Sequence, residues 1–401
     1  MEKTKRDSKF EILRILCMLL IIMHHFACHG GYVFDGSVSA FNKAVVDMFI
    51  VGGKIGVNVF VLISGYFLVK SNFNFSKLFK LLLEVCFYST FIYLIFAISG
   101  KVSFSFNDFI KIILPTITKQ YWFVTCYIIL YILSPFLNKM LKNFDKNDYI
   151  WLISFLLIIQ CILPKVTSGF LSNQGWFITL YIIASYFRNC KSKIFDSFTL
   201  NLVTFLVSLI LIICANVFFG YNLWGIKQIT CVICSVSMFC TFKNIKKSFS
   251  SKFINIVSST TFGIYLLHDN NYIRRFLWRE VLNCPSMIKS NYFVLFAIGS
   301  VLAVFVACSL SDLFRIYALE RPLFLAFSKI KLHIAQTHKF SFNNNYMQSE
   351  DLRIKANSNT DSPYKVIFVD VVDDKICTGI QSIKKRRKCK RLLKQILKEL
   401  I

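Results

Sequence analysis

Residues 10–26 read FEILRILCMLLIIMHHF, an apolar run into which one glutamate, one arginine and two histidines are set. Extended to Ile12–His29, the run makes about 27 Å of helix at 1.5 Å per residue, close to the thickness of a bilayer's hydrocarbon core. Lys3, Lys5, Arg6 and Lys9 precede it and the small Ala27 lies near its end, which is also the outline of a signal peptide. Arg14 breaks the start of the run, however, and His24, His25 and His29 crowd its end. We therefore read it as a retained first membrane span.

Working outward, comparable runs recur near 47–69, 78–99, 121–138, 149–164, 175–187, 199–219, 224–242, 253–268 and 291–319. The expected fold is all-α, a polytopic bundle of about ten transmembrane helices. Composition agrees: 55% of residues are hydrophobic and only 17% charged, well short of the charged fraction of a soluble domain. The net charge of +26 does not indicate nucleic acid, because the basic residues of the first 330 positions sit in short clusters between apolar runs. Such clusters suit loops facing lipid headgroups. The 14 cysteines lie mostly inside apolar segments, with Cys231 and Cys234 lacking a second pair at metal-binding spacing, and read as buried free thiols.

Basic loops also set orientation. With the N-terminus inside, the cytoplasm receives Lys70, Lys77 and Lys80, then Lys139, Lys142 and Lys146, then Arg188, Lys191 and Lys193, then Lys243, Lys246, Lys247 and Lys252. Arg274, Arg275 and Arg279 are the exception on the opposite side. An even number of spans with both termini cytoplasmic is expected. A membrane domain over 1–330 is followed by a polar, basic tail over 331–401, in which Leu392, Leu393, Ile396, Leu397 and Leu400 recur at helical spacing beside the cluster 384–391. That pattern fits an amphipathic helix on the inner leaflet, or else a solvated disordered tail.

Ionisable residues inside spans are costly and hence candidates for function. Arg14 and His25 are eleven positions apart, which returns them to nearly one helix face at depths about 16 Å apart. Glu11, three positions before Arg14, can pair with it. The simpler alternatives are a snorkelling Arg14 and a histidine group at the outer interface. A metal set of His24, His25, Cys28 and His29 lacks a nearby carboxylate to complete it, so no metal is expected. Elsewhere, Ser64 and Gly65 interrupt the second span, where small residues usually serve close helix packing. Trp122 and Tyr127 belong to an aromatic group suited to a membrane interface or to stacking on sugar rings. Tyr265 and His268 end the ninth span beside Asp269, and Glu320 with Arg321 and Pro322 ends the tenth, as a local ion pair in the plain reading.

Five pieces in order, FEILRILCMLLIIMHHF at 10–26, NVFVLISGYFL at 58–68, YWFVTCYIILYILSPFLN at 121–138, TFGIYLLH at 261–268 and ERPL at 320–323, resemble the acyltransferase 3 family of membrane O-acyltransferases, in its branch acting on bacterial surface polysaccharides. They span roughly 8–325. In that family a basic residue, ten intervening residues and a histidine mark the first span, a spacing that here selects Arg14 and His25. His24 is the alternative if the register differs. Some members carry an arginine pair after the second span, where this chain has Lys70, Lys77 and Lys80.

The resemblance implies transfer of an acetyl or similar group from acetyl-CoA to a hydroxyl of a cell-surface polysaccharide or its lipid-linked precursor, in a bacterial plasma membrane and without a bound cofactor. His25 would act as base or acyl carrier, Arg14 would bind phosphate or steady an oxyanion, and Glu320 would orient a basic group. Glu11, Ser64, Tyr66, Trp122, Tyr127, Tyr265 and His268 would contact the substrates. Donor, glycan acceptor and membrane lipids are the expected partners; the oligomeric state is left open. The rival readings are a polysaccharide or small-molecule transporter and a membrane anchor displaying the basic tail. Against transport, no two halves with matching broken helices are apparent.

Overall fold

The Asp7 side chain accepts a hydrogen bond from the Lys9 amide, satisfying one of the free donors at a helix start, and begins α1 (Ser8–His29). The computed structural model describes residues 6–113, 115–116, 118, 120–163, 172–323, 365–370 and 375–380. After α1 come α2 (Ala40–Leu68), α3 (Phe75–Ile98), a short α4 (Phe106–Ile113) and α5 (Trp122–Leu141), which holds Pro135 within it. Next are α6 (Lys146–Leu157), running into a π-helical turn at Ile158–Ile162, then α7 (Asn173–Asn189), α8 (Phe198–Phe219) and α9 (Ile229–Lys243). The remaining helices are α10 (Lys252–Ser259), α11 (Thr261–His268), α12 (Asn271–Arg275) with a π-helical turn at Phe276–Val281, α13 (Cys284–Met287) and α14 (Phe293–Phe314) with another at Arg315–Glu320.

Each expected span contains helix among the described residues. Among the described residues, six helices are long and apolar enough to cross a membrane: α1, α2, α3, α5, α8 and the stretch Phe293–Leu323. The others fall short for visible reasons. α7 and α9 have 17 and 15 residues, and the run expected at 253–268 is divided at Thr260 into α10 and α11. α8 presents Val207, Ile210 and Phe218 outward, and α14 presents Leu295, Leu302 and Leu310, as lipid-facing helices do.

The chain forms two units, Met1–Asp312 and Leu313–Ile401. Within the described residues of the second, β1 (Lys365–Asp370) pairs antiparallel with β2 (Lys375–Ile380), Lys365 opposite Ile380, an element that the all-helical expectation lacks. The amphipathic helix expected at 392–400 lies outside the described residues.

Close approach of α1 and α2 organises the first unit. A Cβ on Gly53 would run into the His24 side chain, and one on Gly56 would meet the Cys17 carbonyl oxygen at 2.7 Å. Backbones this near require glycine, the usual device where lipid gives helices no hydrophobic reason to associate. Gly65 packs against Ala184 and Tyr181 of α7, so that interruption of the second span does serve packing. A buried polar clamp adds direction: Trp176 Nε1 donates to Asn58 Oδ1 at 2.9 Å, and Asn58 Nδ2 donates to the Ile226 carbonyl at 3.0 Å. Gly56→Val should destabilise the bundle by about 1–3 kcal/mol through overpacking against backbone. A thermal melt of purified protein in detergent measures this; an unchanged Tm would contradict the α1–α2 approach.

Candidate active site

Polar side chains gather at two depths of the first unit. Near the N-terminal end of α1, Arg14 Nη1 lies 2.6 Å from Glu11 Oε1, as the three-residue spacing predicts. The other carboxylate oxygen accepts from the Ser258 hydroxyl at 2.5 Å, tying α1 to α10. Glu11 is buried, so its charge is held by a cation and a hydroxyl together. The Arg14 guanidinium also lies 5.9 Å from the Phe67 ring centre. Ser64 and Tyr127 come near each other across α2 and α5, with Arg14 in electrostatic reach of the tyrosine.

Near the same end of α1 is an open cavity of about 410 Å³ lined by Tyr66, Phe187, Arg188, Lys191, Asp196 and Lys243, among others. The Arg188 guanidinium stacks 4.6 Å from the Tyr66 ring centre. Lys243 donates to Asp196 Oδ1 at 2.6 Å, while the Ser192 amide donates to Oδ2 at 2.8 Å. Burial acts to raise the Asp196 carboxyl, but these two hydrogen bonds together with the Lys243 and Lys191 charges outweigh it and leave the group below its ordinary value. Asp196 therefore stays ionised and offsets Lys243, while Arg188 and Lys191 supply the cavity's excess positive charge.

The cluster near the C-terminal end of α1 is built on histidines, and its protons can be assigned. The Ile264 carbonyl oxygen lies 2.6 Å from His268 Nδ1 and can only accept, so Nδ1 carries the proton and a neutral His268 presents a bare Nε2. That Nε2 is 2.9 Å from His25 Nδ1, which must then be the donor. The lone pair of His25 is thereby left on Nε2. It faces Asp269 Oδ1 at 3.7 Å, too far for a hydrogen bond and near enough to stabilise a positive imidazolium.

Asp269 is buried, with Arg274 Nη2 2.8 Å from the same oxygen; His29 Nε2 is 4.0 Å away. Asp269 Oδ1, Arg274 Nε and the Tyr265 hydroxyl are among the described buried atoms left without a well-aligned hydrogen bond. Such atoms in a polar pocket call for a polar guest. Tyr121 fixes this end of α11, donating to the Leu266 carbonyl at 3.0 Å and accepting from Asn270 Nδ2 at 2.6 Å.

His24 points elsewhere. Its Nδ1 donates to the Ile50 carbonyl at 2.5 Å and its Nε2 is 3.5 Å from Cys28 Sγ, so both ring nitrogens are engaged. Between the two histidines, His25 is the one that shares the cluster with His268. Trp122 packs on Phe123 and Phe177 with the Lys54 ammonium 5.7 Å from its ring centre. Glu320 belongs to the second unit, where its partner is Arg315 at 2.6 Å; Arg321, the neighbour expected to pair with it, stacks on Tyr317 at 4.0 Å instead.

Sequence reasoning passes over three contributors. Lys54 is a cation inside α2 within electrostatic reach of His24 and Asp269, and the rule that intramembrane charges are functional is the signal that flags it. Arg274 and Arg279 are the exception to the loop-charge pattern, and both are used locally. Arg274 pairs with Asp269, and Arg279 Nε donates to the His29 carbonyl at 3.3 Å.

Compared with known families, residues 7–312 match a model described as an acyltransferase domain. No curated protein and no solved structure matches the chain.

Proposed function

The chain belongs to the acyltransferase 3 family and is a membrane acyltransferase, and on that premise we propose that it moves an acetyl or similar acyl group from cytoplasmic acetyl-CoA to a hydroxyl of a cell-surface polysaccharide or its lipid-linked precursor. The observation that carries the chemistry is the proton order from Ile264 through His268 to His25, which leaves a lone pair on His25 Nε2 beside Asp269. A hydroxyl is a poor nucleophile at neutral pH, and a neutral imidazole is suited to taking its proton. As the acceptor oxygen bonds to the acyl carbon, its proton passes to Nε2 and Asp269 stabilises the imidazolium. The carbon–sulfur bond then breaks, and the leaving thiolate takes the proton back from His25.

The buried polar groups of Asp269, Arg274 and Tyr265 suit a hydroxyl-rich acceptor. The donor end finds support in the inner cavity, whose Arg188 and Lys191 would hold phosphate, and in Arg14, paired but partly exposed. Arg188→Ala should raise the KM for the donor about tenfold, the equivalent of one charge-assisted hydrogen bond, with kcat within about twofold. Steady-state kinetics with varied donor test this, and an unchanged KM removes the cavity from the donor path.

Mass spectrometry of glycan from cells with and without the gene tests the overall reading. Loss of ester mass with the glycan retained is expected. Loss of the glycan itself would point to transport, which the family membership does not support.

A further inference from the structure

The juxtaposition of His25, His29 and Asp269 carries a second consequence. We propose that these three side chains form a binding site for a divalent transition metal such as Zn2+, and that the ion reversibly silences acyl transfer by occupying His25 Nε2. The inhibitory half rests on the function proposed above; the binding half does not.

His25 and His29 are one turn apart on α1, the i,i+4 spacing that directs two imidazoles at one ion. In sequence they lack a carboxylate, and the fold supplies one from the end of α11. Asp269 Oδ1 lies 3.7 Å from His25 Nε2 and 4.0 Å from His29 Nε2. All three ligand atoms fall within 4.8 Å of one another. Tetrahedral zinc with bonds of about 2.0–2.2 Å holds its ligands about 3.4 Å apart, so side-chain adjustment suffices to close the site. Two histidines and a carboxylate with one open position is a familiar donor set for zinc.

Independent features of the site point the same way. Asp269 is 4% exposed, and its Oδ1 has no aligned hydrogen bond despite the nearby guanidinium. His25 donates its other ring proton to His268, the outer contact that ligating histidines use to present a lone pair. Arg274 helps orient the carboxylate, but its charge repels a dication. That repulsion weakens binding relative to a permanent structural site and favours a reversible occupant.

Full-length protein in detergent, stripped with chelator, would be titrated with Co2+, whose visible absorption reports tetrahedral nitrogen and oxygen ligation, and then with Zn2+ as competitor. Saturable absorption that Zn2+ abolishes is expected. His29→Gln and Asp269→Asn should each weaken Co2+ binding at least tenfold while eluting on gel filtration as the wild type does. In acyl-transfer assays, Zn2+ should inhibit the wild type over the same concentration range, EDTA should reverse it, and His29→Gln should remain active and at least tenfold less sensitive. Absence of Co2+ binding, or binding unchanged in both variants, would overturn the site. Stripped protein that regains activity only with metal would overturn the inhibitory role. Intact Co2+ binding in a protein with no acyl-transfer activity would leave the site standing and refute the proposed enzyme function.

Discussion

Replacing His25 with Ala is expected to lower acyl transfer by about 10²–10⁴-fold while leaving the protein in the membrane at wild-type level, because general base catalysis contributes that much. The imidazole offers Nε2 to the acceptor beside Asp269. His268 Nε2 faces His25 rather than the open side, and both nitrogens of His24 are already bonded. His24→Ala is the matched control. It removes the contacts to Ile50 and Cys28 and should lower Tm, with a much smaller effect on turnover. The measurement is the ester content of purified glycan by mass spectrometry, normalised to protein in the membrane fraction. Full ester content from the His25 variant would sink the assignment.

The second large effect is expected at His268, which acts through His25 and is a positioning residue. His268→Ala removes the acceptor that holds His25 Nδ1 protonated, so the lone pair is no longer confined to Nε2 and the ring is free to turn. Outer contacts of this kind are worth about 10–100-fold, and that loss is expected in kcat, with KM for the donor within about twofold. His268→Gln restores an acceptor oxygen near the same place and should recover at least about a tenth of wild-type kcat. A purely structural role would lower Tm and leave Gln no better than Ala, so the split between kcat and KM and the rescue by Gln together decide the case.

Both predictions concern groups whose partners differ in how they can be found. Arg14, Glu11 and His25 lie on one helix, where spacing of three and eleven positions reports face and depth directly. That is why the Arg14–Glu11 ion pair is legible in the sequence alone. His268 is 243 positions from His25, and the sequence displays it only as a polar residue ending an apolar run. Asp269 stands next to it in the chain, with nothing there to indicate that it faces His25 and His29. Glu320 shows the limit from the other side: its pairing is local, but with Arg315 rather than the adjacent Arg321. A π-helical turn over Arg315–Glu320 brings the five-residue spacing together, and such a turn leaves no periodic signal in a sequence of six residues.

Hydropathy located helix in every expected span, since each backbone polar group in hydrocarbon must be satisfied within its own segment and a helix does this locally. Only packing decided how complete those helices are, as when the run at 253–268 divides at Thr260 and so ends α11 with His268 beside His25. The sequence by itself determined a helical membrane protein whose first span bears Arg14 and His25 at different depths. The tertiary structure decided which nitrogen of His25 is free and which carboxylate it faces. Helix periodicity is a property of neighbours along the chain, whereas proton order and charge pairing depend on groups that meet only when distant helices pack.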